Sequence, residues 1–251
     1  MHEALRFLAS PVRGLQSAVY VLALSALLSS ILALIRDRFL AHTFGAGAEL
    51  DLYYAAFRIP DLIFVATGVL VSVYVLIPQL ARRSPEQQKT YIDTVVIGFS
   101  ASAVAVSLII ALITPYLLEF LFPAISASGL LPTLIMLTRV MLLQPIFLGL
   151  SNILAAITQA KNRYVLYSLS PILYNLGIIA GLLILYPYFG IVGLAWGVVL
   201  GASMHALVQV PSIIRDGFFR SMPKFSERRA FFETISISIP RALALSMNQI
   251  M

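Results

Sequence analysis

The sequence contains no cysteine among its 251 residues, and only 11% of its residues are charged. The absence of cysteine excludes disulfides, a thiol nucleophile, a thiolate metal site and a palmitoyl anchor. The scarcity of charge, together with 60% hydrophobic residues, excludes a soluble globular domain, since such domains are roughly half apolar and about a quarter charged. It also excludes a disordered chain, which needs low hydrophobicity and high charge.

Common catalytic and metal-binding patterns are missing as well. The three histidines, His2, His42 and His205, lack the spacing of metal ligands. The sequence has no glycine-rich phosphate loop, no nucleophile elbow and no HExxH motif. We therefore predict no metal site, no cofactor and no enzymatic activity.

Long uncharged runs dominate the sequence instead. A bilayer crossing needs about 20 apolar residues, and four runs have that length: 14–35, 62–81, 94–118 and 140–160. The run 164–214 is too long for one crossing, because a straight helix of its length would reach roughly 75 Å. It contains a strong breaker near its middle, Tyr186-Pro187-Tyr188-Phe189-Gly190. The sequence thus predicts an all-α, polytopic membrane bundle of six transmembrane helices.

The fifth and sixth predicted spans carry residues suited to close helix contacts. Asn175 and Gly177 lie in the fifth span, and the sixth has glycine at every fourth position, at Gly193, Gly197 and Gly201. Small-residue stripes of this kind let helix backbones approach closely. We predict that the stripe serves packing rather than function.

A further apolar stretch begins near Thr234 and is still running at Met251. This pattern divides the chain into a six-helix transmembrane N-terminal lobe over 1–211, a linker over 212–233 and the start of a seventh transmembrane helix over 234–251. A sequence that stops inside an apolar stretch is typical of a fragment or of one half of a larger transporter. We therefore expect a missing C-terminal lobe, or a second copy of the chain, as a partner.

The 17 basic residues are distributed unevenly between the two sides of the predicted bundle. Most of them lie in the N-terminal segment and in the second, fourth and sixth loops, whereas the first loop has only Arg36 and Arg38 and the other two loops have none. Basic loops face the cytoplasm in membrane proteins. The pattern predicts a multi-pass protein of the bacterial cytoplasmic (inner) membrane with a cytoplasmic N-terminus. It also explains the net charge of +6 without binding of nucleic acid.

The linker over 212–233 alternates phenylalanines with basic residues. This pattern suits an amphipathic helix that lies in the cytoplasmic headgroup layer. A solvated linker between two bundles fits the pattern equally well. The two alternatives remain open from the sequence.

Charged residues cluster where the first predicted span ends and the second begins: Arg36, Asp37, Asp51, Arg58 and Asp61. A charge inside a bilayer costs at least about 2.5–3.5 kcal/mol and is rarely idle. Arg58 and Asp61 are three residues apart, which places them on one helical face if the intervening proline leaves the turn intact. The cluster therefore faces a wet internal cavity or, alternatively, sits at the outer interface with its side chains snorkelling.

Two more arginines fall within or beside apolar segments. Arg139 begins the fourth run, and Arg241 lies in the apolar stretch that starts near Thr234. Each is a candidate for a further cavity position or for pairing with a carboxylate. An interfacial position is the alternative for both.

The first loop region reads RDRFLAHTFG over 36–45 and DLYYAAFRIPDL over 51–62. These two motifs resemble the MurJ/MviN family of lipid II flippases, and the resemblance continues through SPILYN over 170–175 and GLAWG over 193–197. It covers nearly the whole chain as the N-terminal lobe of a protein about twice as long. The family belongs to the MOP transporter superfamily, whose members have two six-helix lobes around a central cavity.

The resemblance implies that the chain helps to flip lipid II across the membrane by alternating access, with the lipid-linked substrate and membrane lipid as its partners. Arginine suits a diphosphate because its planar fork donates two parallel hydrogen bonds. Arg36 and Arg58 are therefore the expected diphosphate ligands. Three carboxylates would hold or exchange partners with them during the cycle: Asp37, Asp51 and Asp61.

The sequence departs from the family where further arginines are expected. Ser30 stands in place of one family arginine, and Phe64 and Val65 stand in place of an arginine pair. The alternative is therefore an exporter of another polyprenyl-diphosphate-linked glycan, of the O-antigen or teichoic type. A membrane enzyme that acts on polyprenyl phosphates would need clustered acidic or histidine residues on the cytoplasmic side, and a non-transporting scaffold would have a dry, fully paired charge cluster.

Overall fold

The structure is a computed structural model that describes residues 14–68, 71–219 and 222–238, and these residues are helical or irregular with no strand. The leading part of the bundle consists of α1 (Leu15–Phe44), α2 (Ala48–Gly68), α3 (Val73–Ala81) and α4 (Pro85–Leu121). The remaining elements are α5 (Pro123–Ala127), α6 (Leu131–Met141), α7 (Gln144–Ala160), α8 (Tyr164–Ala180), a π-helical segment (Gly181–Leu185), α9 (Tyr186–Phe189), α10 (Ile191–Leu207), α11 (Val210–Arg215) and, over 228–238, α12.

Six stretches of the described chain are long and apolar enough to cross a bilayer, as the sequence predicts. They are Gln16–Phe44, Ala48–Ala81, Pro85–Leu121, Leu131–Ala160, Tyr164–Phe189 and Ile191–Arg215. Several extend well past the uncharged runs from which they were predicted. The charges near the start of the second uncharged run therefore lie within a helix rather than in a loop before one.

Two of the six stretches are interrupted. The second consists of α2 and α3, and Ser72 before α3 has an extended backbone. The fourth consists of α6 and α7, separated by a short turn at Leu142 and Leu143. The Ser107 hydroxyl of α4 donates to the Leu142 carbonyl at 3.2 Å. This hydrogen bond satisfies a buried carbonyl at the break, which lipid itself would not do.

The predicted breaker in the longest uncharged run is confirmed. The helical chain continues through the π-helical segment and α9 to Phe189, and α10 starts at Ile191. Gly190 between them has φ 58°, a left-handed conformation that glycine adopts without steric cost. The run therefore folds into two antiparallel helices.

The glycine stripe packs as predicted. A Cβ atom added at Gly177 or Gly181 of the fifth stretch would collide with the backbone of Gly201 or Gly197 in α10. Likewise, a Cβ atom at Gly193 would collide with the carbonyl of Leu185. The close approach of these two helices leaves no room for larger side chains.

The alternating helices give the bundle two ends, each with its own apolar core. The basic end is where α3 meets α4, where α7 meets α8, and where α11 stops. Its core includes Leu80, Tyr91, Ile157 and Ile213. At the far end, where α1 meets α2, another core includes Leu52, Leu118, Leu137 and Leu194.

A bidentate ion pair closes the basic end. Arg163 donates two parallel hydrogen bonds to the carboxylate of Asp216, at 2.7 and 2.8 Å, and also bonds to Ser212. Lys161 lies 3.0 Å from the same carboxylate. Burial alone would raise the pKa of Asp216, but the hydrogen bonds from Arg163 and Lys161 outweigh burial and hold that pKa below its ordinary value. The loop between α7 and α8 is thus fastened to the end of α11.

The predicted linker is not one continuous helix within the described residues. It includes the end of α11, a turn over 216–219, an irregular segment over 222–227 and the start of α12. Phe218 and Phe231 are buried, and the Tyr91 and Thr234 hydroxyls lie 2.8 Å apart across α4 and α12. Phe231 also covers Gly98 of α4. Part of the linker therefore packs against the bundle, and the predicted seventh span beyond Ser238 lies outside the described residues.

Candidate functional site

A pocket of about 360 Å³ lies between α1, α2 and α8. Small-molecule sites in proteins occupy roughly 300–1,000 Å³, so this pocket has room for part of a large ligand. It is lined by charged and aromatic residues: Arg36, Asp37, Leu40, Tyr53, Tyr54, Phe57, Arg58, Asp61 and Tyr174. Four of the seven residues proposed from the sequence thus meet in one cavity.

Both arginines of the pocket lie within the bodies of their helices. Arg36 is about two turns before the end of α1, and Arg58 is about three turns after the start of α2. Each therefore lies roughly 12–15 Å along its helix from the end of the bundle at which α1 meets α2. Arg58 and Asp61 line the same pocket on either side of Pro60, as their spacing predicts.

Arg36 is held in place but not saturated. Its Nε donates to Oδ1 of Asp37 at 2.9 Å and its Nη1 donates to Oδ1 of Asn175 at 2.9 Å, while its Nη2 lies 2.8 Å from the same oxygen of Asp37. A guanidinium has five N–H donors. Only two N–H groups of Arg36, one on Nε and one on Nη1, thus donate a hydrogen bond to the residues that the structure describes.

Arg58 and Asp61 have fewer partners still. In the described part of the chain, Arg58 makes no hydrogen bond and no ion pair. Asp61 accepts one hydrogen bond, from Nε2 of Gln144 at 3.3 Å. Gln144 is buried, and its Oε1 atom has no partner in the described residues. The pocket therefore combines a free guanidinium, a half-satisfied guanidinium and a weakly bound carboxylate.

Aromatic rings form the rest of the pocket wall. Tyr53 packs edge-on against Phe57, with 5.0 Å between the ring centroids, and its ring lies 5.5 Å from that of Tyr54. Tyr53 is buried, whereas Tyr54 is 47% exposed. The rings separate the charges from the apolar core and leave one aromatic side chain open to the cavity.

The remaining candidates from the sequence lie elsewhere. Asp51 is exposed in the first turn of α2 and is not part of the pocket wall. The positive end of the helix dipole lies at this first turn and stabilises the negative charge of Asp51. Arg241 lies outside the described residues.

Arg139 is also away from the pocket, and its role has a physical explanation. Its Nε donates to the carbonyl of Ala111 in α4 at 3.0 Å. Pro115 lies one helical turn further along α4 and has no N–H to give that carbonyl. Arg139 therefore supplies the hydrogen bond that Pro115 cannot.

The sequence interpretation missed three residues of the site. Tyr174 lines the pocket, Asn175 binds Arg36, and Gln144 binds Asp61. A polar amide within an apolar span is the available signal for Asn175 and Gln144, since such a group needs a partner in lipid. Which partner it has depends on helix packing, and the sequence does not provide that.

The described residues contain no group of three or more histidine or acidic side chains that could hold a metal ion. The pocket holds two arginines and two aspartates, so their formal charges cancel. Its unused N–H donors lie on the two arginines. A phosphate group would accept two hydrogen bonds from an arginine fork.

The fold has clear counterparts among solved structures. An inward closed lipid II flippase MurJ matches with a TM-score of 0.69 and 24% identity, over 88% of this chain and 48% of that one. An outward-facing MATE family multidrug resistance transporter of the MOP superfamily matches with a TM-score of 0.67 and 19% identity, over 95% of this chain and 56% of that one. The six-helix bundle is therefore a lobe of the MOP transporter fold.

Sequence comparison identifies the particular family. The family model described as lipid II flippase MurJ matches residues 40–251, and the chain belongs to this family. The lipid II flippase MurJ of Burkholderia cenocepacia is 28% identical over 200 residues, which is 74% of this chain and 38% of that protein. A probable lipid II flippase MurJ of Synechocystis is 25% identical over 250 residues, 94% of this chain and 47% of that protein. The chain thus spans less than half the length of these curated relatives.

Proposed function

We propose that the chain forms one wall of a flippase that moves lipid II from the inner to the outer leaflet of the bacterial cytoplasmic membrane. The family name is that of a transporter rather than of a catalyst, and the chain performs no chemistry of its own in this proposal. The second wall is a C-terminal lobe or a second copy of the chain, because six helices enclose only one side of a central cavity.

The unpartnered guanidinium of Arg58 in the pocket carries this proposal. Moving an ionised diphosphate through hydrocarbon is prohibitive without compensating partners. Arg58 and the unused N–H groups of Arg36 provide such partners in a cavity open to water. The apolar tail stays in lipid while the headgroup crosses between the walls.

The carboxylates regulate the arginines in this mechanism. Asp37 binds one side of Arg36, and Asp61 sits near Arg58 without pairing to it. A bound diphosphate competes with Asp37 for the guanidinium. Rocking of the lobe between its two states exchanges these partners and releases the headgroup.

The basic end faces the cytoplasm in this proposal. Arg82, Arg83, Arg163 and Arg215 all lie at that end of the bundle, and basic residues concentrate on the cytoplasmic side of membrane proteins. The N-terminus is then cytoplasmic, and the far end, including the short helix α5, faces the periplasm. The charged pocket lies nearer the periplasmic face.

Binding of lipid II to the purified chain in nanodiscs of zwitterionic lipid tests the proposal. Arg58→Ala and Arg36→Ala should each weaken binding about 10- to 100-fold, since a hydrogen bond to a charged group contributes about 1.5–3 kcal/mol. Arg38→Ala is the matched control, because Arg38 is an exposed arginine of α1 that does not line the pocket.

Two outcomes would contradict the proposal. The pocket would not be the binding site if lipid II bound with equal affinity to the Arg36→Ala, Arg58→Ala and Arg38→Ala variants. If an O-antigen or teichoic-type lipid-linked glycan bound more strongly than lipid II, that glycan would be the substrate instead. The phenylalanine and valine at positions 64 and 65, where the family has arginines, make this second comparison necessary.

A further inference from the structure

Asn175 connects the pocket to the contact between α1 and α8. It is only 5% exposed, and its Oδ1 atom accepts the hydrogen bond from Arg36. Its Nδ2 atom donates to Oγ of Ser29 at 3.2 Å, to the Ser29 carbonyl at 3.4 Å and to the Pro171 carbonyl at 3.1 Å. One buried amide thus joins the arginine, the middle of α1 and the turn of α8 that contains a proline.

The amide fixes where the Arg36 guanidinium points. Asp37 is the neighbouring residue on the same helix and is 48% exposed at its side chain, so it alone leaves the guanidinium free to swing. Asn175 lies on a different helix and is anchored by three acceptors. The guanidinium is therefore held between an exposed carboxylate and the buried amide oxygen of Asn175, with its remaining N–H groups available to the cavity.

The neutrality of Asn175 is as important as its position. A carboxylate in its place would accept from Arg36 equally well, but it would add a second negative charge beside Asp37. Two carboxylates would then more than neutralise the positive charge of Arg36, and the arginine would no longer attract an anion. The amide holds the guanidinium without cancelling its attraction for an anion.

We propose that Asn175 is the positioning residue for Arg36, orienting it toward a diphosphate while keeping its charge available. The inference rests on the proposed function, because it assigns Asn175 a role in binding through Arg36. Asn175 itself need not contact the ligand. Its effect on binding should therefore exist only while Arg36 is present.

A double-mutant cycle with polyprenyl diphosphate as the probe tests this inference on the chain in zwitterionic nanodiscs. Asn175→Ala should weaken binding about tenfold, corresponding to the loss of one hydrogen bond to a charged group. Arg36→Ala should weaken it at least as much. The double variant should bind like Arg36→Ala alone, because residues that act through one another are not additive.

Two further variants separate positioning from general loosening of the bundle. Asn175→Asp keeps the size and the acceptor for Arg36 but adds charge and removes the Nδ2 donor, and it should bind no better than Asn175→Ala. Gln209→Ala removes an equally buried amide, which binds Ser151 and Thr158 away from the pocket. It should leave the affinity within about twofold of the wild type while lowering thermal stability by a comparable amount.

Each result is decisive. Additive effects of Asn175→Ala and Arg36→Ala, or a loss of affinity in Gln209→Ala equal to that in Asn175→Ala, would make Asn175 merely structural. Wild-type affinity of Asn175→Asp would overturn the argument from charge. If Arg36→Ala and Arg58→Ala both bound normally, the proposed function itself would fail, and that pattern differs from the others.

Discussion

Two clusters of charged side chains in the described part of the bundle differ in how their arginines are paired with carboxylates. At the basic end, Arg163 and Asp216 form a bidentate pair, and Lys161 approaches the same carboxylate. In the pocket, Arg36 pairs with one exposed aspartate, Asp37, and the Arg58 side chain has no hydrogen bond or ion pair to the described residues. The side chains of Arg163 and Asp216 are 18% and 12% exposed, so little water replaces a lost partner there.

Charged side chains thus have two different uses in this bundle. A bidentate, largely buried pair matches its charges internally and holds two chain segments together. A loosely paired cluster in a cavity contributes less to holding the fold, but it can bind an anion. The unequal pairing therefore indicates where the bundle is fastened and where it is available for binding.

The largest expected effect tests this difference directly. Asp216→Ala should destabilise the chain by about 3–5 kcal/mol, because it leaves Arg163 and Lys161 without their shared partner. Arg58→Ala should change stability by no more than about 0.5 kcal/mol, as expected for a substitution that breaks no native contact. Unfolding of the two variants in the same detergent, followed by circular dichroism, measures both. Equal loss of stability in the two variants would refute the distinction between the clusters.

A third arginine sharpens the comparison because it belongs to neither cluster. Arg139→Ala should cost about 1 kcal/mol, since the carbonyl of the half-buried Ala111 then loses its hydrogen bond. Pro115→Ala supplies an N–H to that carbonyl, so the cost of Arg139→Ala should shrink in the Pro115→Ala background. Unfolding midpoints of the four proteins measure the coupling. An unchanged cost in that background would show that Arg139 stabilises the chain in another way.

The sequence was sufficient to predict the six spans, the turn at Gly190 and the glycine contacts. These features follow from local patterns, namely apolar run length, a proline–glycine breaker and small-residue spacing. The extents of the helices were predicted less well. Charged residues do not end a membrane helix when they face a cavity or a backbone carbonyl, and α1 accordingly runs on through Arg36 and Asp37.

Part of the candidate site was also predictable. The rarity of charges in apolar segments singled out Arg36, Arg58 and Asp61, and their grouping follows from a short turn between α1 and α2. Asn175 and Tyr174 come from a helix far along the chain, and only the packing of α8 against α1 brings them to the pocket. Asp51 was grouped with the others by proximity in sequence and shares a face of α2 with Arg58, but it lies about 10 Å nearer the start of the helix and is not part of the pocket wall.

The smallest expected effect concerns the dependence of the basic end on pH. The pKa of Asp216 is held below its ordinary value, so below about pH 4 the unfolded chain binds a proton that the folded chain resists. The contribution of Asp216 to stability is therefore complete above about pH 4, the ordinary range of an aspartate. It is lost as the pH falls through the depressed pKa of the folded chain.

Unfolding midpoints of the wild type and Asp216→Asn, measured from neutral pH downward, test this dependence. Asp216→Asn should be the less stable protein at neutral pH, and the gap should narrow in acid as the wild-type carboxylate takes up its proton. Other carboxylates titrate in both proteins, so only the difference reports on Asp216. A gap that stays constant into acid would mean that the carboxylate charge does not stabilise the pair, and the basic end would then be fastened by packing around Phe218 instead.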